Sequence, residues 1–151
     1  MTSDDVVQLL GLHPMPKEGG MWTQTWRDDH GTAIYFLLRP DDFSALHRLN
    51  IAELWHHYAG APVEMLLLNP DGTVHRPVIG DDLASGQRPF VAVDAGVWMG
   101  AATMGSWSLV GTTMAPPFDP AGFELGDLDH LSDTYPEAAG DLLRFVREEP
   151  A

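Results

Sequence analysis

His47, Glu53 and Gly60 stand in the order His-x-Leu-(x3)-Glu-(x6)-Gly within Ser44-Ala-Leu-His-Arg-Leu-Asn-Ile-Ala-Glu-Leu-Trp-His-His-Tyr-Ala-Gly60. A short turn between the histidine and the glutamate lets the end of one strand and the start of the next aim both side chains into one interior. A carboxylate beside an imidazole fixes its tautomer and raises its basicity, which suits a general base working near neutral pH. The same pair could ligate a metal, although catalytic metal sites generally need about three protein donors. The third would be His57, which shares a strand face with Glu53 and Trp55 by two-residue alternation. A buried His47 merely satisfied by Glu53 is the purely structural alternative.

His56 and His57 point to opposite faces, so only one can enter a pocket. Strict alternation selects His57, and a β-bulge would select His56. A proton transfer on both faces of a carbon would further need an acid opposite the base, for which Tyr35 and Tyr58 are the phenolic candidates. Five tryptophans, at 22, 26, 55, 98 and 107, are a heavy aromatic load for short strands. They serve core filling or stacking on a flat or sugar-like ligand. Glu18, beside Gly19 and Gly20 at the start of a strand, is within reach of a pocket mouth. His13, His30, His75 and His130 fall in turns or tails and read as exposed bystanders.

The elements that must position these groups are mostly strands. Met21 to Arg27, Thr32 to Leu38, Glu53 to Tyr58, Val63 to Asn69, Phe90 to Asp94, Val97 to Ala101 and Trp107 to Met114 are short and rich in β-branched and aromatic residues. Turn chemistry bounds them, most clearly at Asp29-His-Gly31 and Asn69-Pro-Asp-Gly72. Thr2 and Asp5 have capping-box spacing before an apolar run that ends at Gly11, which predicts a short opening helix. A closing helix is expected over about Pro136 to Glu148, within a helical tail spanning roughly residues 130–149. The pattern favours an antiparallel sandwich or jelly roll over alternating βαβ units.

A chain of 151 residues fits one domain, with the barrel over about residues 20–125. The absence of cysteine excludes disulfides, thiolate nucleophiles and thiolate zinc sites. Eight Lys plus Arg against 22 Asp plus Glu leave a formal charge of -14, which argues against nucleic acid or anionic lipid as partner. No stretch approaches the roughly 18 apolar residues of a membrane span, and the N-terminal Met-Thr-Ser-Asp-Asp lacks the basic start of a signal peptide. The expected location is the cytoplasm.

The His47 to Gly60 spacing resembles the first motif of the cupin superfamily, His-x-His-(x3–4)-Glu-(x6)-Gly, with Leu49 at the second histidine. Glu18-Gly-Gly20 followed by Trp22-Thr-Gln-Thr-Trp-Arg27, Thr32-Ala-Ile-Tyr-Phe-Leu-Leu38, Ala95-Gly-Val-Trp98 and Trp107 to Asp119 with Phe123-Glu-Leu125 are similar to the branch described as predicted sugar epimerases. The second motif, Pro-x-Gly-(x2)-His, is matched by Asp94-Ala-Gly-Val-Trp-Met99, so methionine stands at the fourth ligand position. That branch carries its histidine at the position of His56, and a histidine in the loop where Pro14-Met-Pro-Lys17 stands here.

The resemblance implies an all-β, cupin-type jelly-roll barrel with short N- and C-terminal helices, forming a homodimer with Met21 to Arg27 as the edge strand. The expected function is an isomerase, epimerase or lyase acting on a sugar-like or keto-acid metabolite. His47 and Glu53 are the catalytic candidates. Trp55, His56, His57, Trp98, Met99, Trp26, Phe36, Tyr35 and Glu18 are the substrate-binding candidates. A non-catalytic binding module is the alternative, and a metal-dependent oxygenase the least favoured reading. No cofactor is expected beyond a weakly held divalent metal on His47, Glu53 and His57.

Overall fold

The computed structural model describes residues 1–147. Helix α1 (Ser3–Leu10) starts at the expected capping box, in which Thr2 accepts from the Asp5 N–H and the Asp5 carboxylate accepts from the Thr2 N–H. It ends at Gly11, whose φ of 68° is left-handed and costs a glycine little. Twelve strands follow: β1 (His13–Pro14), β2 (Met21–Arg27), β3 (Thr32–Leu38), β4 (Ser44–Leu49), β5 (Glu53–Gly60), β6 (Val63–Leu68), β7 (Val74–His75), β8 (Val78–Ile79), β9 (Phe90–Val93), β10 (Trp98–Thr103), β11 (Ser108–Met114) and β12 (Phe123–Leu125). Helices α2 (Leu128–Thr134) and α3 (Ala139–Phe145) close the described chain.

The strands form two antiparallel sheets, ordered β1-β2-β3-β11-β5-β9 and β12-β4-β10-β6-β7, with β8 also on β6. This is the jelly-roll barrel that the sequence predicts. Alternation divides each strand between two environments. Phe36 and Leu38 of β3, Trp55 of β5, Met65 and Leu67 of β6 and Met99 of β10 fill the space between the sheets. Their neighbours point outward: Leu37 and Leu109 pack under Val6 of α1, and Leu66, Leu68 and Trp98 pack under Leu131, Leu142 and Phe145 of the C-terminal helices. The helices therefore cover outer sheet surface that the barrel would otherwise leave exposed and apolar.

The expected single closing helix is instead two. Asp127 caps α2 by accepting from the His130 N–H, so the helical tail starts at Leu128, ahead of the boundary expected near residue 130. Pro136 then interrupts the chain, because it lacks the N–H that a continuous helix needs, and α3 resumes after a short 3-10 turn. Residues 148 and 149 of the expected tail lie outside those described. Strand β4, which carries His47, pairs on one side with the edge strand β12 and on the other with β10.

Candidate active site

A cavity of about 240 Å³ opens at one end of the barrel, lined by aromatic and aliphatic side chains with a few polar groups among them. It brings together five of the expected site residues: Glu18, Phe36, His47, Glu53 and Trp55. β4 and β5 deliver the central pair as expected, since His47 lies near the end of β4, which closes at Leu49, and Glu53 begins β5 after a short turn.

His47 is almost wholly buried and stacks on Phe123, with ring centroids 5.3 Å apart. Its Nδ1 lies 2.7 Å from the Ala45 carbonyl oxygen. A carbonyl can only accept, so Nδ1 carries the hydrogen and Nε2 is the ring nitrogen left for chemistry. Nε2 faces Glu18 Oε1 at 3.7 Å. The carboxylate beside His47 is therefore Glu18, and Glu53 does not act as the orienting partner expected from the sequence. Glu18 is itself held by Ser44, whose Oγ donates to Glu18 Oε2 at 2.6 Å.

The loop that supplies Glu18 is shaped by its neighbours. Gly19 and Gly20 have φ values of 93° and 81°, and a side chain on Gly20 would run into the Phe36 ring. Asp42 accepts from the Gly20 N–H at 2.7 Å, and the Glu18 carbonyl accepts from the Ala45 N–H, stitching the loop to β4. Arg147 donates to Asp42 and to the Phe43 carbonyl, tying the end of the C-terminal region to the same corner.

Glu53 sits at the floor of the site. Burial pushes its carboxyl up to about 7, and the negative charge of Glu18 adds to the rise. His47 opposes that shift, as do the Thr112 and Trp55 side chains. The Trp55 indole N–H nevertheless reaches no partner at hydrogen-bonding geometry, and neither does that of Trp22. The cavity thus contains a carboxylic acid that is half-protonated near neutral pH, an imidazole with one free nitrogen, and a second carboxylate.

Other expected residues lie elsewhere. Trp98 points outward, into the contact with the C-terminal helices, under the Arg48 guanidinium at 4.5 Å. Met99 faces inward opposite His47 across the β4–β10 pair, but it is buried in the barrel core and does not line the cavity. His56 is on the outer sheet face, stacked on Tyr58 and beside Thr113 and Phe90. His57 keeps the register of Trp55, because the β5 bulge falls after it, but lies further along the strand and pairs with the Ala61 carbonyl at 3.3 Å. Tyr35 is also outward, edge-on to Tyr58, so neither phenol reaches the site. Trp26 is largely exposed beyond a register shift in β2.

Trp22, one of the five tryptophans that the sequence offers for stacking, lines the cavity, and so do Gln24, Thr32, Ile34, Thr112 and Phe123, which the motifs do not mark. The two-residue period on β2 and β3 carried a signal for some of them, since Trp22 and Gln24 alternate on one face and Ile34 alternates with Phe36. His13, His30, His75 and His130 are exposed, as their turn and tail positions suggested.

The four positions at which cupin motifs place metal ligands hold His47, Leu49, Glu53 and Met99. Leucine offers no donor, and a thioether suits the harder divalent ions poorly. Among the described residues no group of three or more His, Asp or Glu side chains is placed to hold a metal ion. The residues present therefore do not fit the metal of a complete cupin site, and His57 does not supply the third donor.

The barrel and its motif remnants define a protein of cupin architecture. Residues 4–126 match the Cupin superfamily (DUF985) family, and the chain belongs to it. It is similar to protein SO0799 from Shewanella oneidensis, at 31% identity over 99% of each chain with a TM-score of 0.93. A hypothetical protein from Leishmania major is 25% identical over 98% of this chain and 100% of that one, with a TM-score of 0.90. A dTDP sugar isomerase from Desulfovibrio desulfuricans shares the fold at 15% identity, over 77% of this chain and 80% of that one, with a TM-score of 0.56. No curated protein matches the chain.

Proposed function

We propose that this cupin is a small-molecule enzyme of isomerase, epimerase or lyase type, moving a proton at a carbon next to a carbonyl of a sugar-like or keto-acid metabolite. The observation that carries the reading is the buried Glu53 carboxyl, raised to about 7 within the cavity that also holds His47. A carboxylic acid that keeps its proton near neutral pH, in one cavity with an imidazole nitrogen that carries no hydrogen, supplies the acid and the base that such proton transfers need.

In this mechanism His47 Nε2 takes the proton from the carbon, and the electron pair of the C–H bond becomes the C=C bond of an enol. The protonated Glu53 gives its hydrogen to the carbonyl oxygen, so no free enolate charge builds up in the apolar cavity. Returning the proton from His47 to the neighbouring carbon, while Glu53 takes the hydrogen of the adjacent hydroxyl, completes an isomerisation. Departure of a β-substituent with its bonding electron pair, as the enol hands its O–H hydrogen back to Glu53, completes a lyase reaction. Epimerisation requires the enol to present its opposite face to His47, because neither Tyr35 nor Tyr58 supplies a second acid. The Ala45 carbonyl, accepting from Nδ1–H, holds the imidazole in place, and the Glu18 carboxylate faces the positive charge that forms when Nε2 takes the proton. Because Glu53 must be protonated, turnover falls as pH rises through about 7.

Deuterium incorporation at carbon, followed by NMR in D2O with a panel of hydroxy-ketones, aldoses and keto-acids, tests the reading. Exchange on at least one class is expected, with His47→Gln and Glu53→Gln each lowering it by roughly 100-fold or more while binding is retained. Binding without exchange on every class would instead identify a non-catalytic binding module.

A further inference from the structure

We infer that the cavity selects an uncharged, monosaccharide-sized hydroxy-carbonyl compound and rejects anions, with Glu18 as the residue that excludes them. This rests on the cavity being the substrate site, and it removes keto-acids and phosphorylated or nucleotide-linked sugars from the field.

Three observations support it. The first is charge. Glu18 and Glu53 both line the cavity, and both side chains are largely shielded from solvent. The only Lys or Arg among the lining residues is Lys17, which is exposed at the mouth. Arg27 is exposed and donates to the Phe118 carbonyl, and Arg147, at the corner of the Glu18 loop, is committed to Asp42 and the Phe43 carbonyl. A carboxylate or phosphate inside would face one or two glutamates with no buried Lys or Arg among the described lining residues to offset them, and like charges in a low-dielectric site repel strongly.

The second observation is the supply of neutral hydrogen-bonding groups. Gln24, Thr32 and Thr112 line the walls, and the Trp22 and Trp55 indole N–H groups are buried without a partner. Hydroxyl and carbonyl oxygens can use such groups, and the rings of Phe36, Phe118 and Phe123 offer apolar faces for the C–H side of a small sugar. An organic cation fits less well, because Glu18 already faces His47 and Ser44. The third observation is size: about 240 Å³ falls below the roughly 300–1,000 Å³ of pockets that hold drug-sized ligands. A nucleotide sugar would not be enclosed.

The test follows the tryptophan indole NMR signals, assigned through single Trp→Phe variants, as the wild-type protein is titrated to high millimolar concentrations. The probes are dihydroxyacetone and D-fructose (uncharged), pyruvate and dihydroxyacetone phosphate (anionic), and ethanolamine (cationic). We expect the Trp22 and Trp55 signals to shift with at least one uncharged probe, bound roughly tenfold or more tightly than either anion. In Glu18→Gln that ratio should fall towards one. Equal or tighter binding of pyruvate or the phosphate ester, tightest binding of ethanolamine, or no shift with any uncharged probe would overturn the inference. If Glu18→Gln does not fold, the wild-type ranking alone decides. Binding of fructose without carbon exchange would leave this selectivity standing while the catalytic reading fell, and exchange on a tightly bound anion would do the reverse.

Discussion

Glu53 illustrates how a residue's surroundings, more than its identity, set its chemistry. Burial disfavours the charged form and, with the negative charge of Glu18, pushes its carboxyl up from the ordinary 4.5 to about 7. The raised value means that folding is not opposed by this group below pH 4.5, and that its contribution is lost as pH rises from 4.5 to about 7. At about 1.4 kcal/mol per pH unit over that window, the loss is on the order of 3 kcal/mol. Urea unfolding should therefore show Glu53→Gln more stable than wild type at pH 8, with the difference shrinking to nothing near pH 4. A second expectation concerns His47. Because the Ala45 carbonyl can only accept, a long-range ¹H–¹⁵N NMR spectrum should find Nδ1 protonated in the neutral ring.

At the scale of elements, the loop between β1 and β2 is where stability and site meet. An added Cβ at Gly20 would lie 2.4 Å from the Phe36 ring and would sit on a backbone with φ of 81°. Gly72, in the Asn69-Pro-Asp-Gly turn, has a φ of 92° but nothing within 4 Å of a built Cβ. Gly72→Ala should thus cost only the left-handed backbone penalty, about 1–2 kcal/mol. Gly20→Ala should cost more and also displace Glu18, lowering both the unfolding midpoint and carbon exchange. Chemical denaturation of the two variants side by side measures the difference. The same loop corner is braced by Arg147, whose guanidinium bonds Asp42 and lies 4.1 Å over the Phe43 ring. Arg147→Ala should therefore loosen the loop from far along the chain.

The whole molecule carries a formal charge of -14, and its described residues form three apolar clusters, one inside the barrel and one under each helical cover. No helix among the described residues is long and apolar enough to cross a membrane. Near α1, the outer face of the sheet that contains β3 and β5 bears a connected group of rings in which Tyr35 meets Tyr58, Tyr58 stacks with His56, and His56 meets Phe90. Tyr58 and Phe90 are 53% and 46% exposed. We propose that the chain forms a homodimer through this face, in addition to the β2 edge, which only the two-residue β1 covers. Light scattering at micromolar concentration should give twice the chain mass, and Tyr58→Glu should shift it to the monomer. A wild-type monomer would dismiss the proposal.

The strand pattern, the opening helix with its capping box, and the pairing of His47 with Glu53 in one interior were all written locally. Alternation, caps and turn residues act over a few positions and can be read without knowing the rest of the chain. Trp98 and Met99 show where that reading stops. Adjacent residues on one strand must face opposite ways, but which face meets the cavity and which meets a helix depends on how the sheets and α2 and α3 pack. His57 follows the alternation correctly and still misses the site, because alternation assigns a face and not a depth. Glu18 displaced Glu53 as the partner of His47 for a related reason: a loop residue 29 positions away is brought to the imidazole by Gly19, Gly20, Asp42 and Ser44, contacts that exist only once β4 and the loop are folded together. The raised carboxyl of Glu53 follows from the same assembly, since burial and a neighbouring charge are properties of the enclosed space and are not written in any stretch of sequence.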